Sequence, residues 1–245
     1  MFFRGFLCAC CVAIGGCTDG ESGPLGGDGE GGSAEGGAAA GGEAVEGGST
    51  NSPPLDPCAG FALEVIDVSY GPGSGFGKDA MPGIVLGPPK GAGETTGSLD
   101  VVALGNGGRI TLGFGDQIIE NGEGPDFIVF ENAFWAGGDP ESPFAEPGTV
   151  EVSADGETWR AFECSASESP YGSCAGWHPV MAGAEGSNAD PHDPATAGGD
   201  AFDLADVGLD SARFVRITDR ADITGLNGSF DLDAIALVSW SCPEP

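Results

Sequence analysis

Residues 98–134 decide the fold, and their sequence is SLDVVALGNGGRITLGFGDQIIENGEGPDFIVFENAF. Leu99, Val101 and Ala103 alternate with Asp100 and Val102, and apolar residues at 110–114 alternate with Thr111 and Gly113, with an Asn-Gly-Gly turn between the two runs. This period of two predicts two strands. An acidic loop at 121–126 precedes the FIVF run at 127–130. Because this run is apolar on both faces of a strand, it predicts a central, fully buried strand.

The composition limits the partners of the chain. Eight Lys and Arg residues stand against 38 Asp and Glu residues, which gives a formal net charge of −30. Such a surface repels phosphate backbones and anionic lipid headgroups, so we predict no nucleic-acid partner, whereas cations are attracted. The acidity is equally well explained by solubility or by adaptation to salt, and both interpretations stay open.

The N-terminus has the pattern of an export signal. Residues 1–16 combine Arg4 with an apolar run that is too short to span a membrane, and this is typical of a signal peptide. The IGGC sequence that ends at Cys17 resembles a bacterial lipobox, which implies a lipid anchor on that cysteine; the alternative is an ordinary signal peptide. By resemblance to lipoprotein sorting rules, Thr18 favours the outer membrane. We therefore expect an exported chain, lipid-anchored at the outer membrane or cell surface, whose only membrane contact is this lipid.

Residues 17–57 form a predicted linker that follows the lipidated cysteine. The segment consists largely of Gly, Ala, Glu, Ser and Pro and contains no Lys or Arg, so it cannot bury enough apolar surface to offset its ordering entropy. A glycine-rich coil of this length has an end-to-end distance of about 35 Å. We predict a disordered tether that displays the following domain away from a membrane.

Residues 58–242 have the size of one all-β domain. No segment shows a helical period, whereas several short runs alternate with a period of two. Besides the strands named above, we predict strands at residues 62–68, 212–219 and 230–238, and a hairpin at 149–162 that turns at Asp155-Gly156 and returns Trp159 and Phe162 to the core. Short strands joined by long loops predict a β-sandwich of the jelly-roll kind.

Two motifs carry a family resemblance. The sequences VEVSADGETW at 150–159 and ARFVRITD at 212–219 resemble the strand pairing of galactose-binding-like, discoidin-type (F5/8 C-like) sandwiches. The wider set GGRITLGF, GPDFIVFENAF, GGDAFDLADVGL and GSFDLDAIALV is similar to a family of bacterial cell-surface lipoproteins of unassigned function. The resemblance spans most of residues 99–238. It implies a secreted or surface-anchored sandwich, often on carbohydrate-rich surfaces, and no shared activity.

Four cysteines remain in the predicted domain: Cys58, Cys164, Cys174 and Cys242. An even number in an exported domain indicates disulfides, with three possible connectivities. We favour Cys164–Cys174, which closes a short loop, and Cys58–Cys242, which joins the two ends of the domain. Zinc is the competing use, but the spacing has no C-x₂-C pair and the compartment is oxidising.

Acidic clusters make calcium the expected cofactor, because calcium takes oxygen ligands from carboxylates and loop carbonyls. The preferred ligands are Asp126 and Glu131, which bracket the predicted central strand, together with Asp231 and Asp233, which share one face of the last strand. The alternative site consists of acids in a long loop: Asp190, Asp193, Asp200 and Asp203. The competing interpretation is that these side chains are solvated or cap backbone groups.

We predict no catalytic residues. His178 and His192 are the only histidines, and neither a GxSxG nor an HExxH motif occurs. Two tryptophans in predicted loops, Trp135 and Trp177, are the candidates for contact with a sugar ring.

The sequence therefore predicts a lipid-anchored sandwich that binds a glycan or other surface polymer, with calcium stabilising its loops. The alternatives are a secreted glycan or ester hydrolase and a purely structural surface or adhesion component. A hydrolase should have a cleft with convergent acids. A binding module should have an exposed aromatic platform, and a structural component should have neither.

Overall fold

The computed structural model describes residues 55–223 and 228–243, which form fifteen short strands and four 3₁₀ turns. The strands are β1 Glu64–Ser69, β2 Val102–Ala103, β3 Arg109–Gly113, β4 Ile118–Glu120, β5 Phe127–Phe130, β6 Phe134–Trp135, β7 Pro143–Phe144, β8 Gly148–Ser153, β9 Arg160–Ala161, β10 Asp200–Phe202, β11 Ser211–Ala212, β12 Phe214–Asp219, β13 Asp231–Leu232, β14 Ala234–Leu237 and β15 Trp240–Ser241. The predicted signal peptide, the lipidation of Cys17 and nearly all of the predicted linker lie outside the described residues. No helix in the described part of the chain is long and apolar enough to cross a membrane.

The larger sheet is antiparallel, with the strand order β1-β3-β12-β8-β9. Its central strand, β12, pairs with β3 on one side and with β8 on the other. Along β12, Val215 and Ile217 are fully buried, whereas Phe214 and Arg216 are only half-buried. This alternation shows that one face of the sheet lies on the core, as the period of two predicts.

The second sheet has β5 at its centre, between β10 and β14. Phe127 and Val129 belong to the main core, while Ile128 and Phe130 belong to a second apolar cluster that includes Val180 and loop alanines. All four residues of β5 are buried. The prediction of a central strand that is apolar on both faces is therefore confirmed.

The main core lies between these two sheets. Ile110, Leu112 and Val150 from the larger sheet share one buried cluster with Phe127 and Ile235 from the second sheet. Three smaller antiparallel sheets, β11-β4-β15, β13-β2 and β6-β7, complete the domain. The predicted all-β sandwich is confirmed.

Both predicted disulfides are present. Cys58–Cys242 joins the two ends of the domain across a sequence separation of 184, and Cys164–Cys174 closes a short loop across a separation of 10. Arg220 donates from its guanidinium to the carbonyl oxygen of Cys164 at 2.6 Å, which fixes the smaller loop against the end of β12.

Some strand predictions were wrong in detail. Within residues 99–103, only Val102–Ala103 is a strand. The expected alternation of buried and exposed side chains is absent, since Leu99 is 81% exposed and the adjacent Val101 and Val102 are both buried. Trp159 is half-buried rather than in the core, with the guanidinium of Arg216 3.5 Å above its ring. The predicted last strand is interrupted at Asp233, and β15 follows it.

Candidate ligand pocket and buried carboxylate cluster

A cavity of ≈ 400 Å³ opens beside β10. Its wall combines an aromatic ring, a histidine, two carboxylates, a hydroxyl and a thioether: Trp135, His178, Asp200, Glu94, Thr196 and Met181. Ligand sites in proteins typically enclose about 300–1,000 Å³ and pair apolar walls with a few polar groups. The cavity therefore has the size and the mixed lining of a small-molecule site.

Trp135 is held at the cavity by a short hairpin. Its strand β6 pairs with β7, and the rings of Phe134 and Phe144 stack at 4.8 Å between centroids. The backbone N–H of Trp135 also donates to the carbonyl oxygen of Glu94 at 2.7 Å. These contacts fix the backbone of Trp135, so this residue of the cavity wall has an anchored position.

His178 and Asp200 form a hydrogen-bonded pair in the cavity wall, with 2.7 Å between Nδ1 and Oδ1. Asp200, on β10, is only 5% exposed, and its other oxygen accepts from the backbone N–H groups of Gly176 and Trp177 at 2.7 and 3.1 Å. Three donors therefore surround this carboxylate. With Asp200 on Nδ1, the orientation of the imidazole is fixed and Nε2 is left for other partners.

Trp177 does not line the cavity. Its ring packs edge-on to Tyr171, 6.2 Å away, and lies 3.7 Å from the ring of His178. The structure thus separates the two predicted ligand-binding tryptophans. Trp135 forms part of the cavity wall, whereas Trp177 is not a wall residue and packs its ring against that of His178.

A second polar feature is a group of buried carboxylates at one end of the sandwich. Glu131 directly follows β5, Glu146 precedes β8, and Asp231 opens β13. Glu131 is 2% exposed and Glu146 is 7% exposed. The backbone N–H of Asp231 donates to Oε1 of Glu131 at 3.2 Å, whereas Oε2 of Glu131 is buried and accepts no hydrogen bond.

The pKa values of these three carboxyls are all raised. Burial raises the pKa of Glu131 well above its usual range, and the charges of Glu146 and Asp231 raise it further. Burial, together with the charges of Asp231 and Asp219, raises the pKa of Glu146 to about 8. The pKa of Asp231 rises to about 6, again mainly through burial. Burial and mutual repulsion thus both disfavour the charged forms of these carboxyls.

Asp219 borders this group but is bonded differently. Its two carboxylate oxygens accept from the backbone N–H groups of Gly107 and Phe230, each at 2.8 Å. The side chain therefore joins the end of β12 to two turns. Its role is structural, since each oxygen already has a donor.

The four preferred calcium ligands do not come together. Asp126 lies at the opposite end of β5 from Glu131, and its oxygens accept from Gly122 and Leu204 backbone N–H groups at 2.7 and 2.8 Å. Asp233 accepts from the Lys90 N–H at 2.9 Å, and burial raises its pKa to about 7. Only Glu131 and Asp231 of the predicted set are in contact.

The alternative acidic set is also dispersed. Asp190, Asp193 and Asp203 each accept from a backbone N–H two residues further along the chain, as acids in turns and caps do. Asp200 instead belongs to the cavity wall. In residues 55–223 and 228–243, no three His, Cys, Asp or Glu side chains stand in the geometry of an assembled metal site.

The sequence interpretation missed Glu146, Asn132 and the pairing of His178 with Asp200. Glu146 lies near the end of a Pro- and Gly-rich loop, and no local pattern marks it. His178 and Asp200 are 22 residues apart in a segment that had almost no strand pattern. Asn132 follows Glu131 directly, and the polar Glu-Asn pair after the apolar FIVF run was the available signal.

The sequence matches no model of a known protein family, and no curated protein is significantly similar to it.

Proposed function

We propose that the protein is a lipid-anchored, surface-displayed module that binds a glycan or another surface polymer, and that the cavity beside β10 accepts one sugar unit. The observation that carries this proposal is the placement of Trp135, Glu94 and the His178–Asp200 pair around one cavity of ≈ 400 Å³.

The lining matches the chemistry of a sugar. A pyranose has an apolar face of C–H groups, which packs on an indole ring, and a rim of hydroxyls, which need fixed donors and acceptors. Trp135 supplies the ring. Glu94 supplies a carboxylate acceptor, and the Thr196 hydroxyl, which donates to Asp193, supplies a further acceptor.

The net charge narrows the ligand class. At a formal net charge of −30, the protein repels a polyanionic polymer over a distance of about 8–10 Å at physiological salt. Neutral glycans are therefore preferred over uronic-acid-rich or sulfated ones. The lipid and tether expected from residues 1–57 would hold the cavity in reach of such polymers.

A glycan array tests this function. The full chain, purified in detergent, should bind a subset of neutral glycans, and Trp135→Ala should lose that subset. Trp159→Ala is the matched control, because Trp159 is also half-buried but packs under Arg216 on the larger sheet. An array on which the wild-type chain binds no glycan, or on which Trp135→Ala binds like the wild type, contradicts the proposal.

The second candidate function is hydrolysis, and the His178–Asp200 pair favours it. An imidazole oriented by a carboxylate through Nδ1 can accept a proton at Nε2 from water or from a hydroxyl. Ser173 lines the same cavity and offers such a hydroxyl. Turnover of chromogenic esters or glycosides by the wild type, lost in both His178→Ala and Ser173→Ala, would favour this function over simple binding.

A further inference from the structure

In the part of the chain that the structure describes, the carboxyl groups of Glu131, Glu146 and Asp231 form no ion pair with a Lys or Arg side chain. The charged groups that act on their pKa values are acidic: the three residues themselves and Asp219. The ion pairs that Lys90, Arg109, Arg216 and Arg220 form in the described residues all involve other acids. A set of buried carboxylates without a nearby cation is costly, unless protons or a bound ion neutralise it.

One buried oxygen at this place has no hydrogen-bond donor. It is Oε2 of Glu131, a residue that is only 2% exposed. The other oxygen of this carboxylate accepts from the Asp231 backbone N–H at 3.2 Å. A buried acceptor without a donor is rare in folded proteins. An unpartnered carboxylate oxygen among further acidic side chains is suited to a positively charged ligand.

We propose that Glu131, Glu146 and Asp231 form a binding site for a hard divalent cation, with Ca²⁺ as the expected ion. The donors are all oxygens, which excludes a preference for zinc or copper and suits calcium or magnesium. Calcium fits better, because it accepts irregular arrangements and bidentate carboxylates, while magnesium requires near-octahedral geometry.

The proposed ligands stand on three separate segments. Glu131 follows β5, Glu146 lies in the connection between β7 and β8, and Asp231 opens the two-residue strand β13. In this structure the three side chains do not stand in the geometry of an assembled metal site, so the ion would have to draw them together. Gly228 passes so close to Glu146 that a Cβ there would overlap Oε1. The backbone of Gly228 therefore closes one side of this carboxyl group.

The site also brackets the hairpin that carries Trp135. Only Ala133 separates Glu131 and Asn132 from β6, and only Ala145 separates Glu146 from β7. A cation shared by Glu131 and Glu146 would fix both ends of the β6–β7 hairpin. The cation site does not depend on the proposed function, but if the cavity binds a glycan, the ion should strengthen that binding.

Calorimetric titration of the chelator-treated full chain with CaCl₂ and with MgCl₂ tests the site, together with thermal unfolding in each ion. We expect one calcium ion per chain, and a rise in Tm that is larger for calcium than for magnesium. Glu131→Gln and Glu146→Gln keep the side-chain shape and should each weaken calcium binding at least tenfold. Glu157→Gln, which removes an equal charge from an exposed hairpin turn, should bind like the wild type.

Three results would overturn the proposal. The first is an equal response to calcium and magnesium, which indicates screening of the net charge alone. The second is calcium binding that persists in the Glu131→Gln/Glu146→Gln double variant, which places the ion elsewhere. The third is a wild type that binds no calcium while Glu131→Gln raises Tm, which shows that protons neutralise the cluster. If either glutamine variant fails to fold, judged by circular dichroism, Asp231→Asn replaces it.

Discussion

Asp231 donates its backbone N–H to the side chain of Glu131, although the two residues are 100 positions apart in the chain. The contact follows from the register of β14 on β5, in which Ala234 lies opposite Phe130. The antiparallel pairing brings the start of the last strands to the C-terminal end of β5. Asp126, at the other end, is separated from Glu131 by the four residues of β5, a distance of about 17 Å along an extended strand.

Asp126 should be a stability determinant rather than a ligand. Its buried carboxylate accepts from the backbone N–H groups of Gly122 and Leu204. Asp126→Ala leaves the buried N–H of Leu204 without an acceptor, whereas Gly122 is exposed and its N–H can bond to water, so we expect a loss of about 1–3 kcal/mol of unfolding free energy. Chemical denaturation measures this loss. A change below the uncertainty of the denaturation curve would show that the Leu204 N–H finds another acceptor.

The strand content was predictable because burial imposes a period of two on these segments. The position of β5 was predictable for a related reason: FIVF is apolar at every position, and only a strand buried on both faces needs that. The spatial grouping of the neighbouring acids was harder to predict. Asp126 and Glu131 are close in sequence, which suggested a shared site. However, they lie at opposite ends of β5, because an extended strand holds the residues before and after it far apart.

Glu146 and the His178–Asp200 pair show a different limit of prediction from local sequence patterns. Each is positioned by long-range hydrogen bonds, such as Glu146 N–H to the Gly176 carbonyl at 2.9 Å. Such contacts depend on how loops cross the end of the sandwich, and no local periodicity records that path. The turn acids Asp190, Asp193 and Asp203 were open to two interpretations, since a ligand and a cap have the same local sequence.

The two disulfides should differ in their contribution to stability. Loop-closure entropy predicts about 3 kcal/mol for Cys164–Cys174 and about 5 kcal/mol for Cys58–Cys242, because the second bridge closes a much longer loop. Unfolding of the two double-serine variants should follow this order, with mass spectrometry after non-reducing digestion as the check on pairing. The reverse order would show that the small bridge does more than restrict the unfolded chain.

Asp155 should make stability depend on acid pH. Its carboxylate accepts from the Glu157 and Thr158 N–H groups and from the Ser153 hydroxyl. Hydrogen bonds from Thr158 and Glu157, the largest causes, lower the pKa of Asp155 to about 2. A carboxyl with a lowered folded-state pKa stabilises the fold above its unfolded value near 4 and loses this effect as pH falls through about 2.

The measurement is the difference in unfolding free energy between the wild type and Asp155→Asn as a function of pH. It should be constant above about pH 4 and should shrink towards pH 2. Glu157→Gln, which removes an exposed charge from the same turn, is the control and should show no such change. A difference that does not vary between pH 4 and 2 would contradict the assignment.

Cys17 should carry the lipid. The lipobox-like sequence before it and the glycine-rich segment after it predict that [³H]palmitate labels the wild type and not Cys17→Ala. The variant should also leave the membrane fraction for the soluble one. Equal labelling of the two chains would exclude Cys17 as the acylation site.

Binding of a neutral glycan in the cavity beside β10 is the central claim, and calorimetric titration with the glycan that the array selects tests it most directly. Loss of the Trp135 ring should weaken binding at least tenfold, equivalent to about 1.4 kcal/mol or more, while Trp159→Ala should retain the wild-type affinity. Both variants must first show cooperative unfolding. Equal affinities for the wild type and Trp135→Ala would contradict the claim that the glycan occupies this cavity.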